Sequence, residues 1–134
     1  MKKVYVFGPI YISGESYLHI YKHVNKLCEK YFDKVIGTYP DFWDSKETPK
    51  EFYDRTWETI KDCDLFIAEM STPSTGVGME LQMGRQNNIR TIGICKDGLN
   101  ASQMAKGLPT LEKVIYYKDL EDLSIQLENF LKVF

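Results

Sequence analysis

Short apolar runs alternate along the chain with longer stretches in which apolar residues recur every three or four positions. The runs Lys3–Phe7, Lys34–Gly37, Leu65–Met70, Thr91–Cys95 and Val114–Tyr117 are continuous rather than alternating. That is the pattern of strands covered on both faces. Between them the longer period predicts helices over Ser16–Tyr31, Pro49–Cys63, Gly78–Asn87, Ser102–Ala105 and Leu120–Phe134. Alternating strands and helices make a parallel sheet with helices on both sides. With right-handed crossovers and one reversal of winding, five such strands settle in the order 2-1-3-4-5. The expected fold is therefore α/β, a flavodoxin- or Rossmann-like three-layer sandwich. Ligands bind such sheets outside the carboxyl ends of the strands where the winding reverses, here between strands one and three. This sets the loop 8–13 opposite the stretch 71–78.

Two connections do not fit an idle linker. Residues 39–49, Tyr-Pro-Asp-Phe-Trp-Asp-Ser-Lys-Glu-Thr-Pro, are aromatic and turn-rich, and residues 96–102 form a Gly/Asn/Ser loop after the fourth strand. Such loops hold or cover ligands.

At 134 residues the chain is one domain's length and can bury roughly two thirds of its unfolded surface, so a single domain over 1–134 is expected. A formal net charge of −2 with scattered lysines argues against a nucleic-acid polymer or a membrane surface as partner. The start, Met1-Lys-Lys-Val-Tyr-Val-Phe7, has too short an apolar run for a membrane span, which needs ~18 residues, and is read as the first strand of a soluble protein. Cys28, Cys63 and Cys95 are odd in number and widely spaced. They read as small buried side chains of a cytoplasmic protein.

Candidate chemistry concentrates in Ser71-Thr-Pro-Ser-Thr-Gly-Val-Gly-Met-Glu-Leu81. Gly76 and Gly78 permit close backbone approach and positive φ, a helix starting near Gly78 would aim free amides into the crevice, and Ser74 adds a hydroxyl. This is an anion cradle or, alternatively, only a tight strand-to-helix corner. No Lys follows as in a P-loop, and the loop after the first strand does not spell G-x-G-x-x-G. ATP hydrolysis and dinucleotide binding thus lose their motif support. Glu80, placed in the first helical turn, would either complement the helix dipole or, kept ionised by it, attack an anomeric carbon to form an ester. Tyr5 on the first strand is either core or a phenol that orients Glu80. His19 and His23, at i and i+4, lack a further ligand at suitable spacing and are read as an ordinary helix face, so no metal is expected. Asp62 and Asp64 read as turn residues, and Glu69 as a crevice or structural carboxylate.

The segments Lys3-Val-Tyr-Val-Phe-Gly-Pro-Ile10, Lys61-Asp-Cys-Asp-Leu-Phe-Ile-Ala-Glu69 and Pro73-Ser-Thr-Gly-Val-Gly-Met-Glu-Leu81 resemble the nucleoside 2-deoxyribosyltransferase superfamily. They are most similar to its 2'-deoxynucleoside 5'-phosphate N-hydrolase branch, whose hallmark is P-S-x-G-V-G-x-E-L. The resemblance covers nearly the whole chain. It implies that Glu80 is the nucleophile at C1', positioned by Tyr5. It further implies that Gly8, Ser74, Gly76, Gly78 and Ser102 form the phosphate side, with Ser102 reaching the site from the second subunit of a homodimer. No cofactor is implied.

Two departures stand out. Thr56 occupies the position where the family usually carries an Asp that contacts the sugar and assists protonation of the base; Asp54 lies roughly opposite on the helix. After Gly8 the phosphate hydrolases have Ser and later Arg, whereas Pro9 and Tyr11 stand here, nearer the transferase form. Ile10, Tyr11, Tyr39, Phe42 and Trp43, with Thr56, are the expected base and sugar pocket. The leading expectation is an N-glycosidase acting on (2'-deoxy)nucleoside 5'-monophosphates. The alternatives are a base-exchanging deoxyribosyltransferase and, from another class, a nucleotide-binding module weakened in catalysis by Thr56.

Overall fold

The computed structural model describes residues 1–9, 11–12, 15–37 and 46–134. Its elements run β1 (Lys3–Phe7), β2 (Tyr11–Ile12), β3 (Glu15–Ser16), α1 (Leu18–Cys28), β4 (Lys34–Gly37), α2 (Pro49–Ile60), β5 (Leu65–Glu69), α3 (Thr75–Gln86), β6 (Arg90–Lys96), α4 (Gln103–Lys106), β7 (Leu111–Tyr117) and α5 (Leu120–Leu131). The main sheet has the order β4-β1-β5-β6-β7 with every pairing parallel. Counting only the strands of that sheet, this is 2-1-3-4-5. β2 and β3 form a separate antiparallel hairpin.

Why the strands lack alternation is visible in the two cores. Val4 and Val6 of β1, with Leu65 and Ile67 of β5, pack beneath α1 and α5; Tyr5, Phe7, Phe66 and Ala68 point the other way and pack with Ile60 of α2 and Val77 and Leu81 of α3. Both faces are apolar here, so successive positions Val4–Phe7 and Leu65–Ala68 are all apolar. All three cysteines are free and buried. Across the first core, His23 Nε2 lies 2.5 Å from Ser124 Oγ and ties α1 to α5. Lys3 is held at the start of β1 by Asp62, at 2.6 Å, and donates its backbone amide to Asp64 at 2.7 Å. Both aspartates are structural. No helix among the described residues is long and apolar enough to cross a membrane.

Several boundaries differ from the sequence expectation. α1 starts at Leu18 rather than Ser16 because the hairpin occupies the chain up to Ser16, and α1, α2 and α5 each end three residues early. Apolar periodicity runs on through these last turns although the helix has already frayed into turns. β7 begins at Leu111, reached across an irregularity opposite Thr91 and Ile92. The correction that matters for function is α3. It begins at Thr75, not near Gly78, because Ser74 caps it and accepts the Val77 amide at 3.4 Å. Gly76 and Gly78 are therefore helical, and among the described glycines positive φ belongs to Gly98, at 89°, in the turn after β6. Glu80 then sits in the second turn, beyond the first-turn dipole effect expected for it.

Candidate active site

α3 leaves the carboxyl end of β5, next to β1, so its inner face lies over the Tyr5 side of the sheet. Tyr5 is fully buried, with its ring stacked on Phe7 at 4.7 Å and edge-on to Phe66 at 5.6 Å. Gripped in this way, its phenol points out of the core and donates a hydrogen bond to Glu80 Oε2. Residues 75 positions apart are thus joined, as the sequence reading required.

Glu80 is mostly buried. Burial pushes its carboxyl up to about 7, while the Tyr5 hydrogen bond pulls in the opposite direction. It is not held fully ionised, contrary to the sequence expectation: burial outweighs the Tyr5 hydrogen bond, and the helix end lies a turn away. At neutral pH this carboxyl divides between acid and carboxylate.

Beside Glu80 opens a cavity of about 490 Å³ between the first turns of α2 and the inner face of α3. That volume lies in the range of small-molecule sites. Phe52, Tyr53 and Thr56 wall one side, and Gly76, Met79 and Met83 wall the other. The α2 wall is firmly started: Thr48 and Glu51 make a reciprocal capping box with Pro49 in the first turn. Glu47, just before the cap and also on the wall, is gripped by Arg55 through two bonds of 2.6 Å. Sequence reasoning missed Glu47, Phe52, Tyr53, Met79 and Met83. The i, i+4 pairs 52/56 and 79/83 were the available signal, since they mark helix faces that meet across a gap.

Thr56 is where the sequence placed it, on the cavity wall, 4% exposed. Its hydroxyl is spent, donating to the Phe52 carbonyl at 2.7 Å one turn back. Asp54 points away and pairs with Lys50 at 2.5 Å on the surface. It does not replace an acid at Thr56.

The predicted anion cradle is separate. On the other side of α3, a cavity of about 290 Å³ is lined by Ser74, Gly78 and Ser102 among others, and Thr75 borders both cavities. The structure brings Ser74 and Ser102 together within one chain. Each hydroxyl accepts a backbone amide as a helix cap, Val77 for Ser74 and Ala105 for Ser102, both at 3.4 Å. The two glycines divide, Gly76 to the Glu80 side and Gly78 to the serine side. Gly8 is fixed by close packing, since a β-carbon there would come within 2.5 Å of Glu69 Cβ and of the Tyr21 hydroxyl. Ile10, Tyr39, Phe42 and Trp43 lie outside the described residues, and of Tyr11 only the backbone, in β2, is described.

Glu69 occupies the opposite face of the sheet and is sealed from solvent. Its oxygens accept the Ser71 amide and the Tyr117 hydroxyl, each at 2.5 Å. Burial is the main cause that pushes its carboxyl up. Ser71 in turn accepts the Lys96 amide at 2.7 Å, so this carboxylate staples the tips of β5, β6 and β7. Of the two roles open to Glu69, the structural pairing is the one observed.

No family model matches the chain. A Methanosarcina mazei protein provisionally named 2'-deoxynucleoside 5'-phosphate N-hydrolase 1 is 28% identical, over 98% of this chain and 84% of its own length. A Thermofilum pendens protein with the same provisional name is 25% identical, over 96% and 94%. Among solved structures, a CMP N-glycosidase from Clostridium botulinum superposes with a TM-score of 0.67 at 18% identity, covering 96% of this chain and 99% of that one. A 2-deoxyribosyltransferase from Bacillus psychrosaccharolyticus gives 0.66 at 14% identity, covering 91% and 90%. The solved structures establish the α/β fold. With the two curated relatives, the resemblance to the nucleoside 2-deoxyribosyltransferase superfamily holds in both sequence and architecture.

Proposed function

We propose that this chain is an enzyme of the N-glycosyl hydrolase and transferase kind, and that it cleaves the base–sugar bond of nucleoside 5'-monophosphates with Glu80 as nucleophile. The observation that carries this reading is the Tyr5–Glu80 hydrogen bond at the wall of a ligand-sized cavity. With Oε2 held by the phenol, Oε1 is the oxygen that attacks C1'. The C1'–N bond breaks, its electron pair leaves with the base, and an ester forms between the sugar and Glu80. Water then attacks C1' and frees the carboxylate, so two inversions give overall retention. Tyr5 acts as a positioning residue whose hydrogen bond favours the ionised form that attacks.

The serine-lined cavity supports a 5'-phosphate on the far side of the α3 N-terminus, where Ser74, Ser102 and the free amides of the helix can meet an anion. The resemblance adds Gly8, Gly76 and Gly78 to the proposed phosphate side, and of these Gly78 lines the serine cavity while Gly76 lines the Glu80 one; Ile10, Tyr11, Tyr39, Trp43 and Thr56 are proposed as the base and sugar side. A homodimer and a deoxyribose preference are inferred from the resemblance. A second reading, base exchange between deoxyribonucleosides, is favoured by the Gly8-Pro9 sequence. Incubation with nucleosides and their 5'-monophosphates, reading free base by chromatography, tests both. Release of base from monophosphates in water is the expected result. Turnover only when a second base is supplied selects the transferase, and no turnover of any substrate contradicts both.

A further inference from the structure

We propose that the sugar seats against Gly76 while Glu80 attacks, so that this glycine belongs to the sugar side of the site and not to the phosphate side. This deepens the preceding section and rests on its assignment of Glu80 as nucleophile.

Gly76, Glu80 and Gly84 follow one another at four-residue spacing and so share one face of α3. The two glycines on that face have different surroundings. A β-carbon on Gly84 would come within 2.6 Å of Phe66 Cε2, so packing of the helix on the sheet requires glycine there. Gly76 is exposed and lines the cavity of about 490 Å³. A β-carbon built on it would stand 4.0 Å from Glu80 Oε1, an ordinary contact distance. Its φ lies outside the left-handed region that favours glycine. Neither the backbone nor Glu80 therefore demands glycine at this position, and within a helix glycine is less stable than alanine. A residue that weakens the first turn of α3 and leaves space open beside the attacking oxygen is accounted for by what fills that space.

Side chains on a helix lean toward its N-terminus, so the Glu80 carboxyl reaches back over the turn that holds Gly76. Tyr5 holds Oε2. Oε1 is left beside the place of the missing β-carbon. Attack requires C1' to come within about 3–3.5 Å of Oε1, and carbon atoms not bonded to each other keep about 3.5–4.0 Å apart. C1' carries the rest of the furanose with it. The ring and a methyl group at position 76 would then compete for the same side of Oε1. With glycine there, the ring can lie directly on the helix backbone.

The test is Gly76→Ala in the whole chain, assayed for base release from the nucleoside 5'-monophosphate that the unaltered chain cleaves fastest, with thermal unfolding measured on the same preparation. A sugar displaced by about 1 Å costs on the order of 10² in rate, so kcat should fall by about that factor. The unfolding midpoint should stay or rise, because alanine favours the helix. A kcat within tenfold of the unaltered chain overturns the proposal, and a change then confined to KM returns Gly76 to the phosphate side. A lowered midpoint also overturns it, since packing would then require the glycine. Glu80→Gln separates this from the underlying reading. If that substitution abolishes release while Gly76→Ala keeps its kcat, only the sugar seat fails. Release that survives Glu80→Gln, or no release from any monophosphate by the unaltered chain, overturns both.

Discussion

Two glutamates flank the carboxyl edge of the sheet, one on each face, and burial raises both carboxyls above their ordinary value. Glu69 has both oxygens filled, by an amide and a phenol, and no solvent reaches it. Glu80 has one oxygen held by Tyr5 and the residue borders a cavity of about 490 Å³. Burial and a perturbed titration are thus common to both, and only the second combines them with space for a ligand. What separates a structural carboxylate from a candidate nucleophile here is an unfinished hydrogen-bond shell facing a cavity.

The largest effects should come from exchanging each glutamate for its amide. Glu80→Gln should lower base release by ~10³ or more, the order seen when a nucleophile is removed, while its thermal unfolding stays cooperative. Glu69→Gln should do the reverse: a loss of about 1–3 kcal/mol in stability, because a buried shell built around a carboxylate is left mismatched. Its rate constant should change little in what remains folded. Denaturant titration and initial rates on the same preparations decide this.

The pH dependence sharpens the contrast next. Glu80 rises from 4.5 in the unfolded chain to about 7 when folded, so the folded state binds the extra proton. Its stabilising contribution is full below pH 4.5 and is lost as pH climbs towards 7. Activity runs the other way, since the attacking carboxylate forms as pH rises through about 7. Glu80→Gln should therefore flatten the fall in stability between those limits and leave the protein roughly 1–3 kcal/mol more stable at pH 8. Unfolding curves at pH 5 and pH 8 for both proteins check the sign.

Tyr5→Phe removes a hydrogen bond to a charged group, worth about 1.5–3 kcal/mol. The expected outcome is a tenfold or greater drop in kcat and an upward shift of the pH midpoint, because the phenol favours the ionised form. A merely structural tyrosine would lower stability without moving that midpoint. The smallest effect is expected on the other side of α3. Ser74→Ala should cost about 1 kcal/mol as a lost cap and, on the proposed phosphate role, raise KM for a monophosphate while leaving that for the free nucleoside unchanged.

The strand pattern was legible because a strand buried on both faces needs continuous apolar sequence, and the sheet order followed from handed crossovers. The meeting of Tyr5 with Glu80 was legible through the strand-one and strand-three placement and the hallmark stretch. The start of α3 was not. Gly76 and Gly78 weaken local helix propensity, and nothing in composition reveals that the Ser74 cap overrides them. Nor was the burial of Glu80, which depends on how closely α3 lies over Tyr5. The cavity wall was hidden for a related reason. Phe52, Tyr53, Met79 and Met83 are unremarkable on separate helices, and only the packing of α2 beside α3 makes them one surface. The division of the hallmark into two chambers is likewise a property of a helix seen from both sides.

The most direct test is mass spectrometry of the protein quenched in acid during turnover of a 2'-deoxynucleoside 5'-monophosphate, followed by peptide mapping. The expected result is a deoxyribose-phosphate adduct on the peptide carrying Glu80, absent in Glu80→Gln, which also releases no base. Base release that proceeds undiminished in Glu80→Gln would contradict the assignment of Glu80 as the nucleophile.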